Sequence, residues 1–146
     1  MHTPIDALPG SILIVDDQQT NLQLIECVLH RAGYTAVAST TDPRKVCDLQ
    51  RQNRYDLIIL DLQMPHMNGF EVMEALAAVA GARAAILVLS ADPSQMVRAL
   101  EAGAAGFLSK PFVLDELVVR VGAMLAKAVT RSTGSFPAAL SALTIA

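Results

Sequence analysis

The chain has 146 residues, 53% of them hydrophobic, with a formal net charge of -3 and no Trp. That length holds one domain with a sizeable core and little else, and an acidic balance without clustered Lys and Arg gives no electrostatic footprint for nucleic acid. No run reaches the roughly 18 consecutive apolar residues of a membrane span; the nearest, Ala75 to Leu89, is broken by Gly81 and Arg83.

Residues 1–10, MHTPIDALPG, lack the basic start and apolar stretch of a secretory signal and are expected to form a short flexible arm. Ile12 to Val15 then reads as a strand buried on both faces, ending on Asp16 and Asp17. Helical spacing through Leu22, Ile25 and Leu29 predicts a helix from Thr20 to about Arg31, with Gly33 as its C-cap. A short strand follows at Thr35 to Ala38. Thr41-Asp42-Pro43 predicts a helix start, Asp42 capping free N–H groups and Pro43 preset for the first turn, and that helix runs to about Gln52. The third strand, Leu57 to Leu60, ends on Asp61. A loop from Leu62 to Asn68 leads to a helix opened by Gly69 and continuing to Ala80. Ala85 to Leu89 is the fourth strand and ends on Ser90. Asp92-Pro93 starts a fourth helix that reaches about Ala102, Ala105 to Leu108 is the fifth strand, and Val113 to Val129 is the last helix. Residues 130–146 carry one charge and the breakers Gly134 and Pro137, and read as a linker or tail that could lead to an effector domain.

Strict β-α alternation implies an α/β fold with a doubly wound parallel sheet, helices on both faces and right-handed crossovers. The expected strand order is 2-1-3-4-5. That order makes the first and third strands neighbours at the switch point, so Asp16, Asp17 and Asp61 meet in one crevice. Two such charges about 4 Å apart repel by roughly 4 kcal/mol at an effective dielectric near 20. Mg²⁺, which takes carboxylates, waters and a phosphate oxygen in octahedral array, would resolve that conflict. Asp61, alone at its strand end, is the expected nucleophile toward phosphorus, with the Ser90 hydroxyl and the Lys110 ammonium available to the transferred group. A cis Lys110-Pro111 bond would aim the lysine into the pocket.

Blander readings stand beside these. The Asp16-Asp17 pair alone could cap a helix, and Asp92 is a good N-cap. Cys27 and Cys47 lie in helical patterns without a CxxC and read as small buried apolar side chains, which fits a reducing, cytoplasmic location. His66 is assigned no role.

Together ILIVDD, DLIILDLQMPHMNGFE, LVLSA and FLSKPF, in that order and spacing, resemble the receiver domain of two-component response regulators over residues 11–129. The resemblance implies a flavodoxin-like sheet with Asp61 as phosphoacceptor. It implies Mg²⁺ held by Asp17, Asp61 and the backbone carbonyl of Gln63, with Asp16 acting through water. It further implies Ser90 and Phe107 as a switch pair and Lys110 on the phosphoryl oxygens. Gln63 and Asp92 stand at the positions that tune acyl-phosphate lifetime in that family, Ser90 replaces a common Thr, and Phe107 replaces a common Tyr. The partner so implied is a sensor histidine kinase or a histidine phosphotransfer protein, and the domain is a phosphoacceptor rather than an enzyme acting on outside substrates. A phosphohydrolase working through an aspartyl phosphate is the enzymatic alternative. It is disfavoured because Gln63 stands where a second acid would be needed. A pseudo-receiver, a protein-interaction module that takes no phosphate, would lack part of the set. On the last helix, Leu114, Leu117, Val118, Val121 and Leu125 form a core stripe, whereas Val119, Ala123 and Ala126 align on the other side. That side is expected to join the fourth helix and fifth strand in a partner or homodimer face.

Overall fold

The computed structural model describes residues 7–79 and 84–133, with side chains described as far as residue 127. Five parallel strands form one sheet: β1 (Leu8–Val15), β2 (Tyr34–Thr40), β3 (Leu57–Asp61), β4 (Ala85–Ser90) and β5 (Gly106–Ser109). Their order is β2-β1-β3-β4-β5, the order expected. The helices between and after them are α1 (Gln19–Ala32), α2 (Val46–Asn53), α3 (Gly69–Ala77), α4 (Met96–Glu101) and α5 (Leu114–Thr133). None of the described helices is long and apolar enough to cross a membrane.

The side-chain period of two sorts each central strand between two cores. Leu13, Val15, Ile58, Leu60, Ile86 and Val88 face α2, α3 and α4, where they meet Val46, Val72, Met73, Leu76 and Ala99. Ile12, Ile14, Leu57, Ile59, Leu87 and Leu89 face α1 and α5, where Leu22, Ile25, Leu29, Leu117, Val121 and Leu125 close over them. Burial on both faces is why these strands are continuous apolar runs rather than alternating ones.

Several boundaries differ from the sequence expectation. β1 begins at Leu8, so Leu8 to Gly10 belong to the sheet rather than to an arm; the Leu8 N–H donates to the Gly33 carbonyl at 2.8 Å and the register shifts between Leu8 and Ser11. Gly10 has φ +114, and a side chain there would meet Leu125 at 2.9 Å. Asp42 and Asp92 do cap, each accepting from the N–H two residues on, but what they open are 3₁₀ turns at Pro43–Lys45 and Pro93–Gln95, before α2 and α4. α3 stops at Ala77, short of the expected Ala80: Ala78 and Val79 are already outside the helix, and Ala80 lies outside the described residues. α5 reaches Thr133, four residues into the expected tail, because no breaker intervenes before Gly134. The remaining arm and tail, residues 1–6 and 134–146, lie outside the described residues. Gly33 closes α1 in the left-handed conformation, φ 113, as expected. Cys27 is exposed and Cys47 half-buried, so neither is the buried apolar side chain expected. Cys27 lies two positions from Ile25, off the Leu22, Ile25, Leu29 stripe that faces the sheet.

Candidate functional site

β1 and β3 run side by side with Val15 opposite Leu60, so their C-terminal ends deliver Asp16, Asp17 and Asp61 to one place. Carboxylate oxygens of the three lie within 4.8 Å of one another. Asp16 is buried and committed: one oxygen accepts the Gln18 N–H at 2.9 Å and the other the Asn21 Nδ2 at 3.2 Å. Asp17 is half-buried and has a single long contact, from Gln18 Nε2 at 3.5 Å. It caps nothing: α1 starts after Gln18 with no side-chain cap.

Asp61 is 5% exposed. Its Oδ1 accepts the Gln63 N–H at 3.3 Å and lies 3.5 Å from Lys110 Nζ, which is also 3.9 Å from Asp16 Oδ2. Burial pushes the Asp61 carboxyl above its ordinary pKa, Lys110 pulls it back, Asp16 adds to the rise, and the Gln63 N–H opposes it. Lys110 follows β5 directly, its N–H donates to the Ser90 carbonyl at 2.8 Å, and the Lys110-Pro111 bond is cis.

Ser90 ends β4 with its side chain fully buried. Its hydroxyl accepts the Asp92 N–H at 3.0 Å and donates to Gln95 Oε1 at 2.7 Å. Phe107 is buried on β5 beside Ala99 of α4, and its carbonyl accepts from Arg120 Nη1 at 3.3 Å. Gln63 is exposed in the β3–α3 loop. That loop turns at His66, φ 70, with the Met67 N–H on the Pro65 carbonyl at 2.8 Å, a γ-turn. It ends in a reciprocal cap, Asn68 Oδ1 taking the Glu71 N–H and Glu71 Oε1 the Asn68 N–H, both at 3.0 Å.

The structure thus brings together Asp16, Asp17, Asp61 and Lys110, with Ser90 on the adjacent strand end. An all-oxygen donor set of carboxylates, partly open through Asp17, suits Mg²⁺. Sequence reasoning gave no part in the site to Asn21, which holds Asp16, or to Gln95, which holds Ser90. Nor did it find the cavity of about 430 Å³ beside the cluster, walled by Asn21, Leu24 and Ile25 of α1 and by Pro111, Phe112 and Leu114. A neutral amide, whether in α1 like Asn21 or in a 3₁₀ turn like Gln95, carries no periodic or charge signal.

Comparison with known proteins gives consistent results. The family described as the response regulator receiver domain matches residues 12–122. The DNA-binding response regulator MtrA of Mycobacterium tuberculosis is 37% identical over 122 residues, 83% of this chain and 53% of that protein. The transcriptional regulatory protein PrrA of the same species is 40% identical over 126 residues, 85% of this chain and 53% of that protein. The chain therefore spans about half the length of these relatives. Among solved structures, a putative response regulator from Chloroflexus aurantiacus superposes with a TM-score of 0.75 at 33% identity, covering 82% of this chain and 99% of that one.

Proposed function

The chain belongs to the response regulator receiver domain family, and from that premise we propose that Asp61 accepts a phosphoryl group from the phosphohistidine of a sensor histidine kinase or histidine phosphotransfer protein in the cytoplasm. The observation that carries this reading is the pairing of a buried Asp61 carboxylate with Lys110 at 3.5 Å, inside a trio of carboxylates.

An Asp61 carboxylate oxygen forms the new bond to phosphorus as the P–N bond to the donor imidazole breaks, its electron pair staying on nitrogen. Burial leaves the attacking carboxylate poorly solvated, while the Lys110 ammonium favours its ionised form. As charge shifts onto the phosphoryl oxygens, Lys110 and the Ser90 hydroxyl are the donors available to them. Asp17 and Asp61, with the Gln63 carbonyl, would hold Mg²⁺ directly; Asp16, whose oxygens already serve Gln18 and Asn21, would act at one remove. Bound there, Mg²⁺ supplies positive charge that offsets the carboxylate cluster and the phosphoryl oxygens. Attack of water on phosphorus later returns the free carboxylate, so the domain resets itself without acting on an outside substrate.

The output face is that of α4, β5 and α5. Val119 is 69% exposed and Ala123 exposed, and α4 adds Met96, Val97 at 62%, and Leu100, which extends the apolar patch beyond the α5 residues read from sequence. Ala126 is half-buried. This patch suits self-association or a partner.

Incubation with acetyl phosphate and Mg²⁺, followed by intact-mass measurement, should add one phosphoryl group to the wild type and none to Asp61→Asn. Equal labelling of both would remove Asp61 from the role, and an unlabelled wild type would favour a pseudo-receiver.

A further inference from the structure

We infer that Gln95 is a positioning residue that holds the Ser90 hydroxyl in a phosphate-free state and releases it on phosphorylation of Asp61. This rests on the phosphoacceptor reading above. A serine hydroxyl has one proton to donate. In this structure that proton goes to Gln95 Oε1 at 2.7 Å, and the Asp92 carbonyl, at 3.5 Å, is the other acceptor within reach. The hydroxyl oxygen also accepts the Asp92 N–H at 3.0 Å. Ser90 has 0% exposure, so bulk water does not compete for the proton. Donation from Ser90 to a phosphoryl oxygen on Asp61 therefore requires that the Gln95 bond be broken. The amide carbonyl and the phosphoryl group are alternative acceptors for a single donor.

The location of Gln95 gives this competition an outlet. It is the last residue of the 3₁₀ turn and immediately precedes α4. The same bond that occupies Ser90 ties the end of β4 to the start of α4, whose exposed Met96, Val97 and Leu100 lie on the proposed output face. Redirecting the hydroxyl's hydrogen bond to the phosphoryl group removes that tie, so the two states differ in how α4 is anchored. Loss of the Gln95 acceptor biases the equilibrium toward the released state before any phosphate arrives.

The test compares labelling rates with acetyl phosphate and Mg²⁺, read by intact mass, for wild type, Gln95→Ala, Gln95→Met and Gln95→Glu, with thermal melts confirming the fold. Gln95→Ala and Gln95→Met should both label about five-fold faster, the weight of one neutral hydrogen bond. Gln95→Glu, which keeps an acceptor for the hydroxyl, should be no faster than the wild type. In a Ser90→Ala background Gln95→Ala should give no acceleration, since the residue it acts through is gone. Unchanged rates in the Ala and Met variants, acceleration by Ala but not Met, or equal acceleration with and without Ser90 would each overturn the latch. In those cases the wild type still labels; an unlabelled wild type instead overturns the phosphoacceptor reading and the latch with it.

Discussion

Replacing Asp61 by Asn should make the metal-free protein more stable, although it removes the proposed acceptor. The carboxylates of Asp16 and Asp17 lie within 4.8 Å of that of Asp61, so at an effective dielectric of 20 each contributes at least about 3.5 kcal/mol of repulsion. Lys110 at 3.5 Å returns about 4.7 kcal/mol of attraction on the same scale. The variant first of all escapes the burial of a charged group, the largest cause of the raised Asp61 pKa, and the charge balance further favours its removal by about 2 kcal/mol. For a domain of this size the charge balance alone corresponds to a rise of roughly 8 °C in Tm. The sign with pH follows from the raised pKa of Asp61. The folded state binds this proton more tightly than the unfolded chain, so the penalty is fully present above the raised pKa. It shrinks as pH falls through that value and is gone below the ordinary carboxylate pKa of 3.8. The gap between variant and wild type should therefore be widest at neutral pH in chelator and close in acid. Added Mg²⁺ should narrow it by stabilising the wild type, by about 1.4 kcal/mol at ten times its Kd. Thermal unfolding followed by circular dichroism measures all of this. A wild type at least as stable as Asp61→Asn in chelator at neutral pH would refute the repulsion account.

Asp17→Asn should lower Mg²⁺ affinity by at least about ten-fold, the size of effect that even indirect partners of a metal exert; calorimetric titration with wild-type binding would contradict direct ligation. Gly69→Ala places a Cβ 2.8 Å from the Leu62 Cα and 3.0 Å from the Asp61 carbonyl oxygen, contacts with backbone that cannot rotate away. It should lower stability by about 1–3 kcal/mol in urea unfolding. Gly103→Ala, at φ +112 with open space around it, should lose only about 1 kcal/mol from backbone strain. Val119→Lys should weaken beryllofluoride-dependent association in sedimentation and leave Asp61 labelling intact; unchanged association would move the contact off this face.

The central strands were legible because burial on both faces leaves no polar position inside them, and their ends were legible because a carboxylate or hydroxyl interrupts each run. Alternation then implied a doubly wound parallel sheet, and the order expected for a sheet of this type brings Asp16 and Asp17 to Asp61. What escaped notice lacks such contrast. Leu8 pairs with Tyr34 of β2 ahead of a register shift at Pro9 and Gly10, but those two residues read as breakers, and Tyr34 lies far along the chain. On α4 the apolar residues Met96, Val97 and Leu100 look like core material, yet it is the small Ala99 that is buried. Cys27 reads as core by residue type, yet its spacing from Ile25 places it off the core stripe. Gln95 is a polar residue in a turn, and nothing in its type or spacing marks it as the acceptor of a buried hydroxyl.

The origins of the charged groups follow an order along the chain. All three carboxylates come from the C-terminal ends of β1 and β3, while Lys110, the ammonium beside them among the described residues, arrives after β5. On a ribosome the acidic trio emerges well before its counter-charge, and it emerges on strands that still lack one flank of the sheet. Until β5 docks, the only relief available to those groups is protonation or a cation from the surrounding solution. The last strand of this sheet is thus also the one that brings partial relief of the repulsion, and truncation before Lys110 would leave a chain that depends more heavily on ions to approach its native form.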